Sequence, residues 1–255
     1  MASLLDPAWP GLLLGPGAFL TLMAAVVVWR TRRGPLSGWL LTAGCLLGVA
    51  GLVSMGVRLG WRPSNRPTLA LAATGMATGL WSVALYGKSR RVQGLAGLVA
   101  GVAMGTFLVA PNAVVPGVQG GGLWFGLDEV FFVLACGVLL LGSICADVPT
   151  SRPNDAATRW VLALGLLLQT MALGSRAVGV QLAWGAYWWW GPVGSWRLAA
   201  WLSTAIAALG LWQMGWAGRR AQIAVHVVTA AVLLVLLGSV PLVRWLGLGE
   251  LYLRG

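Results

Sequence analysis

The stretch WFGLDEVFFVLACGVLLLGSICA, Trp124 to Ala146, opens with two adjacent acids and then runs from Val130 to Ala146 without a charge. About 20 consecutive apolar residues cross a bilayer as a helix, and this run reads as such a span. Seven further runs of the same kind lie at roughly 11–29, 38–57, 67–87, 92–110, 159–180, 196–216 and 221–243. Composition agrees: 58% of the 255 residues are hydrophobic and 9% charged, and the mean hydropathy is +0.83. Soluble domains carry roughly a quarter charged residues. The expected fold is an all-α integral membrane protein, a bundle of about eight transmembrane helices. The connections are short, so residues 1–255 are expected to form a single transmembrane domain.

The chain holds 17 basic residues and its pI is near 11.4. The basic residues cluster between apolar runs rather than along one exposed face, which excludes a nucleic-acid partner and makes them topology signals. Connections one, three, five and seven carry ten of them: Arg30, Arg32, Arg33, Lys88, Arg90, Arg91, Arg152, Arg159, Arg219 and Arg220. The positive-inside rule then puts both termini outside, together with the connection between helices six and seven. Against this bias, Arg58, Arg62 and Arg66 cluster on the outer side, with Arg176, Arg197 and Arg244 near outer helix ends. Two readings stay open for them: snorkelling to lipid headgroups or an external anion site. The start, MASLLDPAWP, lacks a basic n-region, so the first run is expected to be a retained helix.

Cys45, Cys136 and Cys145 fall inside apolar runs, where a disulfide is not expected. No Cys-x-x-Cys-His occurs, which excludes a c-type cytochrome. Gly97, Gly101 and Gly105 recur every fourth residue, as do Gly44 with Gly48 and Gly75 with Gly79. Small residues at that spacing let helix backbones approach closely in lipid.

The segment WGAYWWWGPVGSW, Trp184 to Trp196, is the most unusual in the chain. An aromatic belt at the headgroups accounts for Trp9, Trp29, Trp61, Trp81 and Trp245. It does not account for the concentration of Trp184, Tyr187, Trp188, Trp189, Trp190, Trp196 and Trp201 around one connection. Aromatic faces that dense form a platform for a flat apolar group.

These residues resemble the tryptophan-rich signature of the cytochrome c assembly proteins of the CcsA/ResC and CcmC families, W-G-x-Y-W-x-W-D-P-x-E-x-W-x-L-x-x-W. The match covers Trp184, Gly185, Tyr187, Trp188, Trp190, Pro192, Trp196, Leu198 and Trp201. RLGWRPSN, Arg58 to Asn65, and VPGVQGGGLWF, Val115 to Phe125, are similar to two further CcsA stretches. The resemblance implies a CcsA-like domain with a Trp-rich loop at 184–201, which handles haem at the outer face and presents it for attachment to apocytochrome c. It implies a ResB/Ccs1-type partner and, as location, a bacterial inner (cytoplasmic) membrane with the loop and termini periplasmic. If the chain is active, it is part of a haem-to-apocytochrome c attachment system.

The departures concern haem ligation. The signature acids fall on Gly191 and Gly194, and the family histidines fall near Trp61, Gly126, Leu209 and Gly247. Haem iron takes His, Met, Cys or Tyr, and the sole histidine, His226, lies near the inner end of helix eight. His226 reads as a helix-packing donor, with metal ligation as the alternative; Met171 and Met214 read as filler. No residue is assigned a catalytic role.

Gln169 and Arg176 share a face of helix six. With Arg197 they offer either a propionate site, which Arg62 could extend, or an interhelical hydrogen bond. Asp128 and Glu129 are expected to serve the dipole of helix five, and as neighbours to point to different faces. Two function classes therefore follow. One is a cytochrome c assembly protein with haem at the Trp platform. The other is a haem-free structural or accessory subunit of a larger respiratory or assembly complex, with the platform packed against other membrane-complex subunits. A transporter is the weakest reading, because neither an inverted repeat nor a pair of charged broken helices is visible.

Overall fold

In the computed structural model of the chain, the described residues are 9–30, 34–59, 67–86, 89–109, 123–148, 154–188 and 192–245. They form eight helices and no strand: α1 Trp9–Arg30, α2 Gly34–Leu59, α3 Pro67–Tyr86, α4 Arg90–Val109, α5 Leu123–Asp147, α6 Asn154–Trp184, α7 Pro192–Trp212 and α8 Arg219–Trp245. Each apolar run is a helix, so the all-α membrane architecture holds. Among the described residues Leu123–Asp147, Ala156–Trp184 and Arg219–Leu236 are long and apolar enough to cross a membrane. Shorter apolar helices cover Gly15–Val28, Gly38–Val53 and Leu69–Leu85. Large apolar side chains such as Phe19, Val102, Ile206 and Val227 lie exposed on helix surfaces, as lipid-facing positions require.

The chain divides into two compact units, Met1–Ala113 and Val114–Gly255. The first holds α1 to α4 around Ala18, Ala24, Leu41, Cys45, Leu52, Ala72, Met76, Ala100 and Met104. Its small core residues follow from close helix approach. A Cβ on Gly17 would stand 2.9 Å from the carbonyl oxygen of Gly44, and one on Gly44 would stand 2.9 Å from that of Gly17. α1 and α2 therefore touch backbone to backbone. Gly75 faces Ala100 and Ala103 of α4, and a Cβ on Gly97 would stand 3.0 Å from the carbonyl oxygen of Thr21. The glycine spacing thus marks helix contacts, with one exception: a Cβ on Gly105 would meet nothing within 4 Å.

In the second unit α5 packs against α6 and α8, and α7 against α6 and α8. Leu139, Leu141, Leu162 and Leu211 are fully buried. Gly142 of α5 sits where Val161 of α6 and Val225 of α8 converge. Polar bonds join α5 to α8: Gln222 Nε2 donates to the carbonyl of Ala146 (2.8 Å) and Thr229 Oγ1 to that of Leu139 (3.0 Å). α6 has 31 residues, about 46 Å at 1.5 Å each, longer than the roughly 30 Å hydrocarbon layer.

Candidate functional site

The Trp-bearing connection hangs between α6 and α7. α6 ends at Trp184, where Gly185 adopts a φ of 72° and its N–H donates to the carbonyl of Gln181 at 2.9 Å. That left-handed cap is the common helix terminator and suits glycine. Pro192 opens α7, where a missing N–H costs nothing. Trp184 and Tyr187 are exposed, and Trp188 and Trp196 are half-buried. Trp184 meets the edge of Phe125 of α5, ring centroids 5.8 Å apart at 66°. Trp189, Trp190 and Arg62 lie outside the described residues.

Trp201 is set apart from Trp184. Its indole Nε1 donates to Thr170 Oγ1 at 2.9 Å, and Thr170 lies fourteen residues before Trp184 on α6. That separation is about 21 Å along the helix. Next to it, Gln169 Nε2 donates to Thr204 Oγ1 at 2.9 Å, so Gln169 makes an interhelical hydrogen bond.

Between these two levels lies a cluster of four charges, with Asp128, Glu129 and Arg197 buried and Arg176 half-buried. Arg197 of α7 bonds Asp128 of α5, and its Nη2 donates to Glu129 Oε1 at 2.6 Å. Arg176 of α6 reaches Asp128 Oδ2 through Nη1 at 3.2 Å. The guanidinium carbon of Arg197 also sits 4.5 Å from the ring centroid of Phe132, a cation–π contact. Asp128 is 1% exposed and Arg197 4%.

This cluster corrects two expectations. Arg176 and Arg197 do not snorkel outward; they turn inward to carboxylates. The side chains of Arg58, Arg62, Arg66 and Arg244 lie outside the described set. Asp128 and Glu129 do more than serve a helix dipole, and adjacency does not separate them. One planar guanidinium with two forked donors spans both carboxylates. Sequence reasoning missed this pairing, although a signal was present: charges inside a membrane span pair with one another, and α5, α6 and α7 carry two acids and two arginines near matching ends.

His226 belongs to another place. Its Nδ1 lies 2.5 Å from Ser143 Oγ and its Nε2 3.1 Å from Asp147 Oδ1. It thereby joins α8 to the far end of α5. Ser143 is eighteen residues from Phe125, about 27 Å along α5. Among the described residues no three His, Cys, Asp or Glu side chains gather as metal donors.

The haem fit can be judged on these side chains. Trp184 and Tyr187 are exposed and Trp188 is half-buried, so part of the expected aromatic platform is open to a partner group. Residues 184–201 contain no His, Met or Cys, so the phenol of Tyr187 is the one axial donor type in this segment. Met171 and Met214 are exposed and lie outside the 184–201 segment, and His226 is engaged at the opposite end of α5. Among the described residues the donor set does not fit ligation of haem iron by a pair of His, Met or Cys side chains.

Fold and site together define the class: a multi-pass helical membrane protein with a Trp-bearing connection next to a charge-balanced, largely buried ion cluster. No family model matches the chain. The chain is 32% identical over 124 residues to the cytochrome c biogenesis protein CcsA of Parasynechococcus marenigrum, covering 49% of this chain and 39% of the relative. It is 34% identical over 79 residues to the cytochrome c biogenesis protein CcsA of Anthoceros angustus, 31% of this chain and 23% of that one. With CcsA of Chlamydomonas reinhardtii it shares 27% over 128 residues, 44% and 36% of the two chains. The match thus spans well under half the length of these relatives. The chain is thus similar, over part of its length, to proteins named as CcsA of cytochrome c biogenesis.

Proposed function

We propose that this chain is a membrane protein of cytochrome c assembly, a CcsA-like domain over residues 1–255 that works through its Trp-bearing connection. The observation that carries the reading is the spacing of Trp184, Tyr187, Trp188, Trp196 and Trp201, together with similarity to proteins named for cytochrome c biogenesis. Apocytochrome c and a ResB/Ccs1-type protein are the proposed partners, and lipid surrounds the helices. The proposed location is a bacterial inner membrane, and the basic connections favour the periplasmic side for the Trp-bearing connection.

Haem is the group whose shape suits the aromatic faces. Ligation of its iron by this chain is not part of the proposal, nor is a propionate role for Arg176, Arg197 and Arg62. Two acids balance the first two arginines, so the described cluster has no surplus cation. The test is deletion of the gene in its host, followed by staining of membrane proteins for covalently bound haem. Loss of c-type cytochromes, restored by the wild-type gene, supports the reading. Unchanged c-type cytochromes would overturn it.

A further inference from the structure

The two legs of the Trp-bearing connection share one support. On the α6 leg, Arg176 bonds Asp128, a Cβ at Gly179 would stand 3.2 Å from the Phe125 ring, and Trp184 meets the edge of that same ring. On the α7 leg, Arg197 bonds both Asp128 and Glu129. Every one of these contacts ends on the first turns of α5, between Phe125 and Glu129. Arg176 lies eight residues before Trp184, and Arg197 follows Trp196 directly.

We propose that the start of α5 is a clamp setting the distance and rotation between the two legs, with Asp128 as its shared positioning residue. Burial makes the clamp specific. In water an arginine exchanges partners freely, whereas a pair out of water keeps its one arrangement, because separation strands a charge. Asp128 alone bonds an arginine from each leg; Glu129 and Phe125 each serve one. The two legs should therefore respond differently to different substitutions. Loss of Arg176 frees the α6 leg alone, and loss of Asp128 frees both.

Importance of the clamp for cytochrome c assembly rests on the function proposed above, while the clamp itself is read without it. The experiment is amide hydrogen exchange of the full-length protein in detergent, comparing segments 177–188 and 193–200. Asp128→Asn is expected to speed exchange roughly tenfold in both segments. Arg176→Met is expected to speed it in 177–188 only. Asp128→Glu, which keeps the charge, should restore most of the protection. Asp147→Asn, at the other end of α5, should change neither segment. If Asp128→Asn does not fold, the Arg176→Met comparison decides alone. The proposal is overturned if Arg176→Met loosens both legs equally or neither. It is also overturned if Asp147→Asn matches the effect of Asp128→Asn. Haem staining of the same variants reports separately on function, so a failed assembly role and a failed clamp give different results.

Discussion

Replacing Arg197 by Met keeps most of the side-chain volume and removes one buried positive charge. In the wild type, two arginines face two carboxylates, a formal balance of zero. In the variant, Asp128 retains Arg176 at 3.2 Å, while Glu129 loses the 2.6 Å bond and both carboxylates lose a shared partner. Breaking a buried pair from one side costs about 3–5 kcal/mol, because the stranded charge stays out of water. The lost cation–π contact with Phe132 adds about 0.5–2 kcal/mol. Against a total stability of about 5–15 kcal/mol, the midpoint of thermal unfolding in detergent should fall by on the order of 10 °C. The decisive companion is the double variant Arg197→Met with Glu129→Gln. It leaves the Asp128–Arg176 pair balanced and should recover at least half of the loss. Circular dichroism on heating measures both. A drop of a degree or less in the single variant would refute the reasoning, as would a double variant no more stable than the single one.

Other expectations follow from particular contacts. Gly44→Ala should destabilise by about 1–3 kcal/mol, since its Cβ would sit 2.8 Å from Thr21 and 2.9 Å from the Gly17 carbonyl. Gly105→Ala, which meets open space, should be neutral or stabilising by up to about 1 kcal/mol; thermal midpoints compare the two. His226→Ala should cost about 1–3 kcal/mol through the lost bonds to Ser143 and Asp147, and leave exchange in segments 177–188 and 193–200 unchanged. An effect on those segments would mean that His226 acts on the Trp-bearing connection.

Much of this arrangement was legible in the residues. Apolar runs of span length mark the eight helices, since lipid leaves the backbone no other satisfied form among open chains. Hydropathy alone placed the sixth span at 159–180, whereas α6 runs Asn154–Trp184. The added residues, NDAAT before the run and QLAW after it, mix polar with small and apolar side chains, so they extend the helix without raising its mean hydropathy. Glycine spacing told which faces meet, because close backbone approach demands it; Gly105 carries the spacing and no contact, because period reports a face and not its neighbour. The site was legible in its aromatic half only. Trp184 and Trp201 belong to one spacing in sequence, but antiparallel helices carry Trp201 about 21 Å along α6 from Trp184. The ion cluster was hidden for a different reason. Asp128, Arg176 and Arg197 lie far apart in the chain, and only helix packing shows that their ends coincide.

The proposal most in need of a test is that the Trp-bearing connection is the working part of a cytochrome c assembly protein. The most direct measurement is the covalent haem content of c-type cytochromes in a deletion strain carrying Trp184→Ala with Trp188→Ala, at matched protein level. The reference is Trp39→Ala with Trp160→Ala, two exposed tryptophans elsewhere on the helices. The account predicts haem near the deletion level for the first pair and near wild type for the second. Full cytochrome c maturation with the first pair would contradict it.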